Sequence, residues 1–124
     1  MAAVLAALVL CASPSAIDGD TFHCHGIKPG LRISGIDSPE LPGHCRAGRV
    51  CAPGDPVLAR DNLRQILASG PVSYRVLKTD LYGRPVVNVY VNGANVSCLQ
   101  LLGGYAIYKP TWDDRHIVRR ECRL

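Results

Sequence analysis

Five charged side chains are spaced so that together they could act on a phosphodiester. Asp20 lies in an Asp-Gly-Asp-Thr turn, Arg32, Asp37 and Glu40 fall within one short segment, and Arg84 ends a later Tyr-Gly-Arg run. Carboxylate oxygens are the ligands that hard divalent cations prefer. The planar fork of arginine matches the geometry of phosphate and keeps its charge at any working pH. The set therefore predicts a metal-dependent nuclease.

The carboxylates divide between metal binding and the activation of water. Asp20 and Asp37 could both ligate a hard cation, with the backbone carbonyl of Ser38 and water molecules completing the shell. Glu40 follows Pro39, whose fixed φ angle limits the positions that the carboxylate can take. We therefore expect Glu40 to be the general base for the attacking water.

The two arginines are expected to clamp the phosphate and to stabilise charge in the transition state. Arg32 lies on the predicted strand that leads to Asp37, and Arg84 arrives from a turn beyond the predicted helix. Taken singly, these residues have simpler explanations, because Asp-Gly and Tyr-Gly pairs are common in turns and surface arginines are usually solvated. The prediction therefore depends on the ordered set.

Composition indicates one folded domain with a mild basic excess. The chain has 124 residues, of which 48% are hydrophobic, so there is room for one modest core. The net charge of +4 comes from 14 basic and 10 acidic residues. Such an excess suits an anionic substrate through electrostatic steering, but it does not by itself indicate nucleic acid.

Residues 1–16 form a candidate signal peptide ahead of a domain over residues 17–124. Residues 2–12 are apolar, and small residues follow as far as Ala16. The run is shorter than the roughly 20 apolar residues of a spanning helix. No Lys or Arg precedes it, so the alternative is a strand or buried helix of the domain. An exported protein would be secreted or periplasmic; without a signal, we expect a cytoplasmic location.

The six cysteines favour disulfide bonds if the protein is exported. They contain no C-x-x-C pair and no histidines at matching spacing, so a zinc site is not predicted. Cys45 and Cys51 bracket a short loop that contains Gly48, and we expect them to pair. The alternative is that both pair with more distant cysteines and brace the domain.

The apolar pattern predicts short strands, one well-defined helix and two weaker helices. A helix over residues 56–69 is best supported, because Asp55 is a good N-cap, Pro56 suits the first turn and Gly70 suits the end. The predicted strands are residues 21–25, 31–36, 72–77 and 85–91, and the other predicted helices are residues 96–102 and 113–123. Residues 37–53 are expected to form a long functional or mobile loop.

The three motifs, in this order and spacing, resemble those of the staphylococcal nuclease (thermonuclease) family. That family's pattern is D-G-D-T, then an arginine shortly before D-x-P-E, then D-x-Y-G-R, and the likeness covers residues 17–110. It implies an α+β fold, a β-barrel with helices, in which a five-stranded OB-fold barrel is packed by two to three helices. It also implies that Asp20, Asp37 and Ser38 bind calcium (Ca2+).

The resemblance further implies hydrolysis of DNA and RNA, with single strands preferred, by a monomer without stable membrane association. Substrate contacts are implied for Tyr82, Tyr105 and Tyr108, although core packing explains the last two equally well. The alternative function is a non-catalytic OB-fold module that binds single-stranded nucleic acid. Degenerate domains of that kind typically lose carboxylates or arginines, whereas this chain keeps the whole set.

Overall fold

The computed structural model describes residues 7–124, which form a curled sheet packed by three helices. The nine strands in this part of the chain are β1 (Val9–Cys11), β2 (Ser15–Ala16), β3 (Thr21–His23), β4 (Leu31–Ile33), β5 (Ile36–Asp37), β6 (Val72–Thr79), β7 (Pro85–Val91), β8 (Ala94–Asn95) and β9 (Ile107–Tyr108). The helices are α1 (Pro56–Ala68), α2 (Val96–Leu102) and α3 (Ile117–Cys122).

Seven of these strands form one sheet that curls into a half-barrel. Its order is β1-β6-β7-β4-β3-β2, with β8 added beside β7, and β4–β7 is its parallel pair. The strands β5 and β9 form a separate antiparallel pair. The α+β prediction of a barrel-like sheet with helices is therefore confirmed. The strand count exceeds the five that were expected, because the N-terminal run and several short segments also pair.

The core lies between the concave face of the sheet and α1. Phe22, Leu31, Val87 and Val89 are at most 1% exposed, and alternate residues of β7 enter this cluster. Helix α1 begins as predicted, because the Asp55 carboxylate accepts hydrogen bonds from the first-turn amides at 2.9 and 3.2 Å. Its buried face consists of Ala59, Leu63 and Leu67.

The N-terminal run contributes two strands in the described residues. β1 pairs with β6 and β2 pairs with β3, and Cys11 forms a disulfide with Cys24. This matches the alternative interpretation of the run as part of the domain. Residues 1–6 of the candidate signal peptide lie outside the described residues. Cleavage after Ala16 stays a prediction, and it would remove both strands and this disulfide.

All six cysteines are paired. Besides Cys11–Cys24, the disulfides are Cys45–Cys51 and Cys98–Cys122. The predicted local pair Cys45–Cys51 is confirmed, and the alternative of distant partners for these two residues is wrong. The pair Cys98–Cys122 ties α2 to α3.

The predicted strand over residues 31–36 is interrupted. β4 ends at Ile33, and the chain turns at Gly35 before it enters β5 in the other sheet. Gly35 has a φ of +77°, and an added Cβ would lie 2.9 Å from Cγ2 of Val118. A side chain is therefore excluded where the turn meets α3.

The predicted helix over residues 113–123 is also shorter than expected. Two 3-10 turns, Pro110–Trp112 and Asp114–His116, precede α3, and Arg115 and His116 have left-handed φ values of 52° and 54°. Such residues interrupt a right-handed helix. Val118 of α3 is fully buried. Across residues 7–124, no helix combines the length and apolar character needed to cross a bilayer.

Candidate active site

The sheet register brings the three sequence motifs together. β3 runs antiparallel to β4 with Thr21 opposite Arg32, so Asp20 lies beside that arginine. β4 runs parallel to β7 with Arg32 opposite Val86, two residues after Arg84. Segments that are far apart in the chain therefore meet at one end of the half-barrel.

Arg32 is a nearly buried cation between two carboxylates. Its Nη2 lies 3.3 Å from Oδ2 of Asp20 and 3.9 Å from Oδ1 of Asp37, and its side chain is 12% exposed. Nη1 donates to the carbonyl of Ile33 at 2.8 Å, and Nη2 donates to the carbonyl of Ile36 at 2.9 Å. These main-chain contacts fix the guanidinium at the turn between β4 and β5.

The Asp-Gly-Asp turn is held in place by close packing and buried hydrogen bonds. An added Cβ on Gly19 would lie 2.6 Å from Oγ of Ser38 and 2.8 Å from Cβ of Ala59, so only glycine fits here. The fully buried Gln100 donates to the carbonyls of Gly19 at 2.7 Å and Ala59 at 3.1 Å. Asp20 Oδ2 accepts from the amide of Ser38 at 2.8 Å. Ala59 of α1 and Gln100 of α2 therefore fix the turn that carries Asp20, the first predicted metal ligand.

The donor chemistry of Asp20, Asp37 and Ser38 fits a hard cation such as calcium. Both carboxylates face the positive charge of Arg32, whose guanidinium occupies the space between them. Among residues 7–124, no cluster of three or more His, Cys, Asp or Glu side chains has the arrangement of a metal site. Any ion held here would rely on main-chain and water oxygens for the rest of its shell.

Burial makes two carboxylates of the site less acidic than usual. Burial, followed by the charge of Asp20, raises the pKa of Asp18 to about 7. Asp18 Oδ1 also accepts from the amide of Asp20 at 3.0 Å. Burial raises the pKa of Asp37, although the Arg49 guanidinium opposes this effect. Additional positive charge in the site would therefore favour the ionised carboxylates.

Glu40 is bound to a third arginine. Arg49 Nη1 lies 2.8 Å from Oε1 of Glu40, and Arg49 Nη2 lies 3.0 Å from Oδ1 of Asp37. This arginine belongs to the loop closed by the Cys45–Cys51 disulfide. The sequence analysis predicted the disulfide but not these ion pairs.

Arg84 is oriented by the aspartate of its own motif. Asp80 Oδ2 accepts from Nε of Arg84 at 2.8 Å, and Asp80 Oδ1 accepts from the amides of Tyr82 and Arg84, both at 2.9 Å. Burial acts to raise the pKa of Asp80, but the hydrogen bonds from Arg84 and Tyr82 outweigh it, so the pKa is lowered. Asp80 thus stays ionised and holds the guanidinium of Arg84 through Nε. The two terminal nitrogens of Arg84 can then donate to a substrate.

These side chains border one open cavity of about 610 Å³. Four of the predicted catalytic and metal-binding residues, Asp20, Arg32, Glu40 and Arg84, line it, whereas Asp37 and Ser38 are buried beside it. The other charged or histidine side chains of the lining are Asp18, His44, Arg46, Arg49, Lys78 and Asp80. Basic groups therefore surround the carboxylates on several sides.

Of the three predicted substrate-contacting tyrosines, the structure brings one to the cavity. Tyr82 lines it, with the guanidinium carbons of Arg46 and Arg84 at 4.1 and 5.6 Å from its ring centroid. Tyr105 and Tyr108 are not part of the lining. The Tyr105 ring packs against the main chain at residue 103, and the Tyr108 hydroxyl donates to Oδ2 of Asp113 at 2.6 Å.

Trp112 is an aromatic residue of the cavity that the sequence analysis missed. The guanidinium carbons of Arg32 and Arg49 lie 5.5 and 5.7 Å from its ring centroid, and Nζ of Lys109 lies 5.0 Å from it. It is the single tryptophan of the chain. The signal available in the sequence was its place shortly after Tyr105 and Tyr108, two of the tyrosines predicted to contact substrate.

A comparison with protein-family models gives no match, and no curated protein matches the chain significantly. The resemblance to the staphylococcal nuclease family therefore depends on the three motifs, their order and their spacing.

Proposed function

We propose that this protein is a calcium-dependent nuclease of the staphylococcal nuclease type that hydrolyses phosphodiester bonds of DNA and RNA. The observation that carries the proposal is the convergence of Asp20, Arg32, Glu40 and Arg84 on one cavity. Two carboxylates and two arginines at one opening, with Asp37 buried beside it, supply the residue types that metal-assisted phosphodiester hydrolysis uses.

Each residue has a defined part in the proposed reaction. Glu40 takes the proton from the water that attacks phosphorus. Arg32 and Arg84 donate hydrogen bonds to the phosphoryl oxygens and stabilise the charge that develops on them. Asp20 and Asp37, with the Ser38 carbonyl, would hold the calcium ion, which supplies Lewis-acid charge when bound.

The fold and the compartment are part of the same proposal. The order β3-β4-β7 in a curled sheet with flanking helices supports an OB-type barrel whose open end carries the site. Three disulfides support an oxidising compartment, so we propose that the protein acts outside the cell or in a periplasm. We further propose that it acts as a monomer on single strands.

A second candidate is a non-catalytic module that binds single-stranded nucleic acid. The observation that favours it is the pairing of Asp20, Asp37 and Glu40 with arginines, which neutralises the carboxylates. Tyr82 and Trp112 in the same cavity could stack on bases. This candidate predicts binding without cleavage.

The test is cleavage of single-stranded DNA and RNA with calcium or with excess EGTA. Arg32→Ala and Arg84→Ala should each lose on the order of 3 kcal/mol of transition-state stabilisation, the scale of one preorganised donor. Arg64→Ala is the control, because that exposed arginine lies on α1 and pairs with Asp61. Undiminished cleavage in EGTA would remove the calcium requirement. Tight binding with no cleavage under any condition would favour the binding module.

A further inference from the structure

The loop closed by Cys45–Cys51 places an arginine on two carboxylates that the proposed reaction needs. We propose that Arg49 is a resident counter-ion that competes with a divalent cation for Asp37 and restrains Glu40, so that cation binding releases this loop. The inference rests on the proposed calcium site and concerns its regulation.

The disulfide-closed loop, residues 45–51, presents Arg49 in a defined direction. The amide of Arg49 donates to the carbonyl of Arg46 at 3.1 Å, and Gly48 between them has a φ of +81°. The disulfide joins the two ends of this turn. A closed loop of this kind has few conformations, so the arginine is held beside the site at little further entropic cost.

The contacts of Arg49 are directed at the reaction centre. Its two terminal nitrogens are both used, one on Glu40 at 2.8 Å and the other on Asp37 at 3.0 Å, and its guanidinium lies near the Trp112 ring. Bidentate use of the fork across two different carboxylates fixes them relative to each other. The Glu40 carboxylate is thereby held in an ion pair with Arg49.

Arg49 is more accessible to solvent than the other arginine that faces Asp37. The Arg49 side chain is 34% exposed, whereas the Arg32 side chain, which also faces Asp37, is 12% exposed and bonded to two main-chain carbonyls. Arg49 can therefore leave the site without disturbing the core, while Arg32 cannot. A cation that binds Asp37 repels the Arg49 guanidinium and takes over the Asp37 oxygen that Arg49 contacts. Release of the loop and binding of the cation are therefore linked.

Calorimetric titration with calcium chloride, without nucleic acid, tests the competition. Arg49→Gln should bind calcium on the order of tenfold more tightly than the parental chain, within the usual range for coupled sites. Arg49→Lys keeps the charge but not the fork, so its affinity should fall between the two. Arg64→Gln is the charge-matched control on α1 and should bind calcium like the parental chain.

An affinity of Arg49→Gln that is unchanged or weaker than the parental value would overturn the proposal, because Arg49 would then be neutral or a support of the site. The absence of calcium binding in both chains would overturn it as well. Calcium binding that appears only in Arg49→Gln would support it. These outcomes are measured without cleavage, so they test the role of Arg49 even if the protein has no nuclease activity.

Discussion

Replacing Asp113 by alanine should destabilise the protein strongly, although the residue lies outside the cavity. Its Oδ1 accepts from the amide of Val118 at 2.9 Å, and its Oδ2 accepts from the amide of Arg119 at 3.0 Å and from the hydroxyl of Tyr108 at 2.6 Å. The residue is 5% exposed. One carboxylate thus caps α3 and ties it to β9, the partner strand of Asp37.

The magnitude follows from the three donors that would be left without a partner. Loss of a helix cap costs about 1 kcal/mol, with a range of roughly 0.5–2. A half-buried tyrosine hydroxyl without its acceptor adds about 1–3 kcal/mol. We therefore expect the free energy of unfolding to fall by about 2–4 kcal/mol, out of a total of about 5–15 for an ordinary domain.

Urea denaturation followed by circular dichroism measures this change. Tyr108→Phe removes the hydroxyl together with its need for a partner, so it should cost only about 1 kcal/mol. The double variant should lose less than the sum of the two single losses, because both remove the same hydrogen bond. Asp114→Ala, a neighbouring carboxylate paired with Arg115, is the control and should stay within about 0.5 kcal/mol of the parental value. A loss at Asp113 no larger than that of the control would refute the capping account.

Three further predictions concern the site and its supports. Asp80→Ala should lower turnover by about tenfold or more, because Arg84 loses the carboxylate that orients its guanidinium. Steady-state cleavage rates equal to those of the parental chain would show that Asp80 does not position Arg84. In EDTA, the free energy of unfolding should fall as the pH rises from about 4 to about 7, because folded Asp18 keeps its proton up to a pKa of about 7 while the unfolded chain releases it near 3.8. Asp18→Asn should flatten this pH dependence in urea melts, and an identical slope in both chains would contradict the raised pKa. The Cys98→Ser/Cys122→Ser double variant should lose about 3 kcal/mol of stability, since the disulfide closes a loop between α2 and α3; an unchanged urea midpoint would show that this bond adds nothing.

Features with local causes could be predicted from the sequence. The start of α1 depends on Asp55 and Pro56, which act on their own neighbours, and the structure has both where they were expected. The Cys45–Cys51 pair follows from the short spacing around Gly48. The convergence of Asp20 with the two arginine segments was an expectation from motif order, and the strand register now gives its physical basis.

Features with distant causes could not be predicted. The turn at Gly35 packs against Val118, far along the chain, which leaves no room for a side chain at this position. The apolar N-terminal run has the composition of both a signal peptide and a buried strand, so pairing of β1 with β6 could not be distinguished from export by composition alone. Trp112 reaches the site through a 3-10 turn that the periodicity of the sequence does not encode, and the ion pairs of Arg49 depend on how separate segments pack together.

The central claim is that the cavity is a hydrolytic centre in which Glu40 is the base. The most direct test is Glu40→Gln, with single-turnover cleavage and equilibrium binding of the same single-stranded DNA measured in calcium. The account predicts that cleavage slows by roughly 10²–10⁴-fold while the dissociation constant stays near the parental value. Cleavage at the parental rate, or a loss confined to binding, would contradict it.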